Sequence, residues 1–114
     1  MAELVTSGIW TVRPTKEAAF IEAWTSFAEW ASSMPGAGAL RLGRGTGDVP
    51  RFVSYGAWEN VDAVRAWKST PEFRERIAQV LHYVDDFHPA ELDVVASYAE
   101  GSRAVAHPDR VGLK

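Results

Sequence analysis

The chain has 114 residues, the length of about one domain. Its composition, 46% hydrophobic and 24% charged, is that of a folded globular protein. It contains no cysteine, which excludes disulfide scaffolds, thiolate zinc sites, iron–sulfur clusters and cysteine nucleophiles together. A formal net charge of -3 offers no basic field to nucleic acid or to an anionic membrane surface, so neither is expected as a partner.

Met1–Gly8 has no positively charged start followed by an apolar run, and no stretch approaches the ~18 apolar residues of a membrane helix. The expectation is a cytoplasmic protein. Five tryptophans are many for so short a chain. They fit either a densely filled core or an aromatic-lined pocket for a flat organic ligand.

Leu4 to Val12 is rich in β-branched residues and ends at Arg13-Pro14, which predicts a first strand. Both of its faces are free of charge, as in a central strand covered on both sides. Thr15 is the expected N-cap of a helix running to about Ser33. Phe20, Trp24, Phe27 and Ala31 recur on it at helical period as one wide apolar stripe. Met34-Pro35-Gly36 ends it.

Ala39–Arg44 and Arg51–Trp58 read as a hairpin around the turn 45–50. Phe52, Ser54, Gly56 and Trp58 share one face of the third strand, opposite Val53, Tyr55 and Ala57. Asn60 caps a short helix, and Thr70-Pro71-Glu72 restarts it with a cap, a proline at the first helical position and an acid in the first turn. Asp85-Asp86-Phe87-His88-Pro89 reads as a break, and Leu92–Tyr98 as the fourth strand. Residues 1–98 carry no internal repeat or linker and form one domain, while 99–114 read as a tail.

The order β-α-β-β-α-β is the split βαβ, or ferredoxin-like, arrangement of the α+β class: a four-stranded antiparallel sheet with the helices on one face. The other face then needs a cover. A second copy packed sheet to sheet through a two-fold is the economical one, with Val95 of the fourth strand contributing to it.

The stretch Trp58-Glu59-Asn60-Val61-Asp62-Ala63, followed by Trp67, Ser69 and Phe73, resembles the antibiotic biosynthesis monooxygenase family. Trp10, Met34-Pro35-Gly36 and Phe52 fit the same pattern, which covers about residues 4–98. The resemblance implies a dimeric α/β barrel. It also implies a superfamily that includes oxygenases, haem-degrading enzymes, isomerases and proteins of no assigned activity. Quinone-forming members that use no cofactor carry one Asn on the first strand and another four residues before the third-strand Trp. Here those positions are Gly8 and Ser54, and neither supplies an amide. Haem-degrading relatives place a His four residues after the Phe, where this chain has Ile77, so no haem is expected by that route.

Trp58, Ser54 and His82 are the candidate catalytic residues. Trp58 and Ser54 share a strand face with small neighbours, and His82 is of the side-chain type that most often serves as general acid or base. Trp10, Gly8, Tyr55, Trp24 and Phe27 are the candidate walls of a pocket for an aromatic or polyketide-like substrate. His82, Asp85, Asp86 and His88 have ligand chemistry, but their spacing matches no fixed metal motif, and no metal or cofactor is assigned. Gly43-Arg44-Gly45-Thr46-Gly47 precedes a strand rather than a helix, so it is a hairpin turn and not a phosphate loop.

The leading expectation is a cofactor-independent monooxygenase. The same residues fit a non-catalytic ligand-binding or structural homodimer, or a cofactor-free isomerase or cyclase.

Overall fold

Residues 3–48 and 51–98 are described by the computed structural model of the chain. The expected tail, 99–114, lies outside them. Alternating burial along Leu4–Val12 makes β1, with Leu4, Gly8, Trp10 and Val12 turned inward and Ile9 outward. It is followed by α1 (Glu17–Ala31), β2 (Ala37–Arg44), β3 (Arg51–Trp58), α2 (Val61–Lys68), α3 (Pro71–Leu81) and β4 (Val84–Asp93). The sheet is antiparallel throughout, in the order β2-β3-β1-β4. This is the ferredoxin-like architecture, with its second helix in two segments.

Local signals explain most of the elements. The Asn60 side chain accepts a hydrogen bond from the Ala63 amide at 2.9 Å, and Thr70 Oγ1 accepts from the Phe73 amide at 3.0 Å. Each therefore satisfies an amide left open by its helix start. Pro71 opens α3 where no intrahelical donor is needed. At the start of α1 the expectation fails. Lys16, not Thr15, is the cap residue, and no side chain bonds there. The Lys16 amide instead donates to the Arg13 carbonyl at 2.9 Å.

The fourth strand begins eight residues before its expected start. Val12 pairs with Val84, but Thr11 pairs with Asp86, so Asp85 is an extra residue in the ladder. This β-bulge lets Val84 and Phe87, three apart, both turn toward the helices. The arrangement hides the period of two that marks a strand. Residues 94–98 are not in a strand, and Val95, expected on one, is 91% exposed. Arg13 fastens the bulge: its guanidinium donates to the His82 carbonyl at 2.7 Å and pairs with Asp85 at 3.2 Å.

The core lies between the helices and one sheet face. Phe20, Trp24, Phe27 and Ala31 of α1 are buried against Trp10, Val12 and Phe52 of the sheet, with Val64, Trp67 and Val80 from the other helices. Phe20 sits 5.0 Å from Phe52 and 5.4 Å from Trp10 in tilted ring pairs. Burial of such a ring contributes about 1.5–3 kcal/mol, and each ring pair adds about 0.5–1.5 kcal/mol. No helix among the described residues is long and apolar enough to cross a membrane.

Candidate functional site

The centre of the helix-facing sheet surface is made of small residues. Thr6 of β1 lies opposite Gly56 of β3, and Gly8 lies opposite Ser54. Large residues flank this patch at both ends, where Leu4 faces Trp58 and Trp10 faces Phe52. Side chains too short to reach the helices leave a cavity of about 290 Å³ above the patch. Its roof is Trp24 and Phe27 of α1, Trp67 of α2, and Phe73, Ile77 and Leu81 of α3; Leu40 and Phe87 close its sides from β2 and β4.

Polar groups on this wall are few. Trp10 Nε1 donates to Ser54 Oγ at 2.9 Å, a buried bond. The Trp10 ring lies stacked on Phe87 at 3.9 Å. A Cβ on Gly8 would stand 2.8 Å from the Phe87 ring and 3.0 Å from both partners of that bond, so only glycine leaves room for it. Trp58 Nε1 donates to Thr6 Oγ1 at 3.2 Å. Trp67 Nε1 is buried and has no partner, and an unmet donor of this kind costs about 1–3 kcal/mol. Lys68 borders the cavity with its ammonium 2.9 Å from the Glu91 carboxylate, an ion pair that ties the end of α2 to β4.

Of the residues singled out from the sequence, Gly8, Trp10, Trp24, Phe27 and Ser54 meet at this cavity. Tyr55 borders the floor, but it alternates with Ser54 and Gly56, so its half-exposed ring projects from the opposite sheet face. Trp58 does not line the cavity. It is 1% exposed, stacked on Trp67 at 4.5 Å, and Trp67 stands at the wall in its place.

His82 is also elsewhere. Phe73, Ile77 and Leu81 recur every four residues on the inner face of α3, and His82 follows about 100° further round. It sits in a shallow surface hollow with Ala78, Gln79 and Tyr83. Asp86 and His88 pair at 2.8 Å on the exposed face of β4. Among the described residues no three such side chains gather to hold a metal ion.

Thr6, Leu40, Trp67 and Phe87 are wall residues that reading the sequence missed. Leu40 was legible as an inward residue of its strand. Phe87 was hidden by the bulge.

A family model described as antibiotic biosynthesis monooxygenase matches residues 7–79. The chain belongs to that family. Its fold resembles that of SnoaB, a cofactor-independent oxygenase from Streptomyces nogalater, with a TM-score of 0.79 at 18% identity over 88% of this chain and 100% of that one. A conserved protein from Methanosarcina mazei Go1 gives a TM-score of 0.73 at 13% identity, over 81% and 92% of the two chains. Protein SO0527 from Shewanella oneidensis gives 0.70 at 16% identity, over 80% and 89%. No curated protein sequence matches the chain.

Proposed function

We propose that this protein is a cofactor-independent monooxygenase of a planar aromatic, polyketide-like small molecule, acting in the cytoplasm as a homodimer. The observation that carries this reading is the cavity itself: an aromatic and aliphatic enclosure whose floor holds Ser54, with its oxygen engaged by Trp10. An indole nitrogen can only donate, so the Ser54 oxygen accepts and its own proton stays available to a ligand oxygen. Family membership and the fold shared with an oxygenase support the same reading.

In this chemistry the substrate, as its electron-rich anion, reduces dioxygen. A ring methylene becomes a carbonyl with one oxygen atom, and the second oxygen leaves as water with the two hydrogens. The protein contributes a largely apolar pocket and a donor placed where negative charge rests on the ring oxygen.

Dioxygen uptake against a panel of hydroxylated anthrones and quinols tests this directly. Uptake is expected with at least one anthrone, and Ser54→Ala is expected to lower kcat/KM about tenfold, the worth of one hydrogen bond to developing charge. No uptake across the panel overturns the reading. A second reading, a binding module without turnover, is favoured by Gly8 and Ser54 standing where quinone-forming members carry amides. It predicts binding of the same compounds with no dioxygen consumed; rearrangement without uptake would instead mark an isomerase or cyclase.

The homodimer rests on the helix-free sheet face. Ile9 and Val53, directly opposite each other in the ladder, are 42% and 39% exposed, with Tyr55 beside them. Apolar surface collected in this way on a sheet is usual at an interface. Light scattering at micromolar concentration should give twice the 12.5 kDa chain mass, and the mass of a single chain would remove the dimer.

A further inference from the structure

The two central strands carry one pattern twice. Thr6-Ser7-Gly8-Ile9-Trp10 on β1 and Ser54-Tyr55-Gly56-Ala57-Trp58 on β3 each place a hydroxyl, a glycine and a tryptophan at alternate positions. Thr6 pairs with Gly56, Ser7 with Tyr55 and Gly8 with Ser54, so a local two-fold between Ser7 and Tyr55 exchanges the two patterns. The side chains obey it. Each indole reaches back to the hydroxyl of the other strand, Trp10 to Ser54 at 2.9 Å and Trp58 to Thr6 at 3.2 Å.

Both hydroxyls border the cavity. Each has one proton and two acceptor sites, and each gives an acceptor site to an indole that can only donate. Among the described residues neither hydroxyl donates to a protein acceptor. Two protons are thus held ready over one floor. No side-chain carboxylate, amide or imidazole on the cavity wall competes for them. Diagonal neighbours across an antiparallel pair lie about 7–8 Å apart, so the two protons serve separate atoms of a ligand rather than one shared atom.

We propose that Thr6 and Ser54 form a paired donor site that recognises a ring bearing two separate acceptor oxygens, a dicarbonyl or quinone-type ligand, with Thr6 binding the second oxygen. This rests on reading the cavity as a site for a planar aromatic ligand. The buried Trp67 N–H at the same wall adds a donor, not an acceptor, which is consistent with a ligand that brings the acceptors.

Equilibrium dialysis with three two-ring probes tests it: 1,4-naphthoquinone, 1-tetralone and naphthalene, with two, one and no carbonyl oxygens. The wild-type protein is expected to bind the quinone about tenfold more tightly than the tetralone, and the tetralone about tenfold more tightly than naphthalene. Thr6→Val and Ser54→Ala should each lower quinone affinity about tenfold and leave naphthalene unchanged. Thr6→Ser, which keeps the hydroxyl, should bind as the wild type does.

Equal wild-type affinities for quinone and tetralone overturn the paired site while the aromatic-ligand reading stands. So does full quinone affinity in a folded Thr6→Val. Should Thr6→Val not fold, the wild-type series and Thr6→Ser decide. If none of the three probes binds the wild type, the aromatic-ligand reading itself falls.

Discussion

Trp58→Ala is expected to destabilise the fold by about 3–5 kcal/mol, the range for removing a large ring from a closed core. At 1% exposure the side chain has no route to solvent, and the cavity left behind would remove the stack on Trp67 at 4.5 Å. Such a loss is a large part of the roughly 5–15 kcal/mol by which a domain is stable. For a domain of this size it corresponds to a fall of at least about 12 °C in Tm. Trp58→Phe keeps most of the apolar volume and should cost no more than about 1.5 kcal/mol. Urea titration of the two variants separates the cases. A drop below about 1 kcal/mol for Trp58→Ala would show that the ring does not carry the core.

The second large effect is expected at Gly36, between α1 and β2. Its φ of 85° lies in the left-handed region, which costs a residue with a Cβ roughly 1–2 kcal/mol. A Cβ there would also stand 2.7 Å from Ala63 Cβ, and the short, rigid alanine cannot swing away. Overpacking of this kind adds about 1–3 kcal/mol. The Gly36 carbonyl accepts from the Glu59 amide at 2.8 Å, so a shift that relieves the clash pulls on the corner between β3 and α2. Gly36→Ala is therefore expected to lose about 2–5 kcal/mol. Ala63→Gly removes the opposing methyl at a helix-propensity cost of about 1 kcal/mol. The double variant should then be more stable than the sum of the single losses by at least about 1 kcal/mol. Strict additivity would mean that the clash is not what destabilises the single variant.

How much was legible in advance depended on whether a residue's partners lay nearby in sequence. Phe20, Trp24, Phe27 and Ala31 announce the buried face of α1 by period alone, and all four are buried. Asn60 and Thr70 act on amides three residues away, so their caps can be read locally. β3 needed only its alternation, and Phe52, Ser54, Gly56 and Trp58 turn inward together. β4 could not be read in this way. Its bulge is defined by pairing with Thr11 and Val12, some seventy residues earlier, and its charged residues are tolerable because the strand borders the sheet.

The site divides along the same line. Strand parity places Ser54, Gly8 and Trp10 on one surface, but parity alone does not say which ring meets the cavity and which lies behind another. Trp58 and Trp67 exchange those roles through a stacking contact between β3 and α2. His82 has the chemistry of an acid–base group, but helix geometry turns it to the outer surface. The signal that went unread was the hydroxyl-glycine-tryptophan pattern repeated on β1 and β3, visible in the sequence but meaningful only once the two strands are known to pair.

The bulged border strand has one more consequence, for how the protein behaves when crowded. Over ten residues β4 carries Asp85, Asp86, Glu91 and Asp93 together with Pro89. Proline offers no amide to an incoming strand, and the carboxylates would have to shed their water to admit one. Asp85, Asp86 and Glu91 are already held by Arg13, His88 and Lys68, and an incoming strand would have to disturb those contacts. Growth of the sheet by edge-to-edge strand addition, the first step toward fibrils, is blocked on this side by the same residues that disguised the strand.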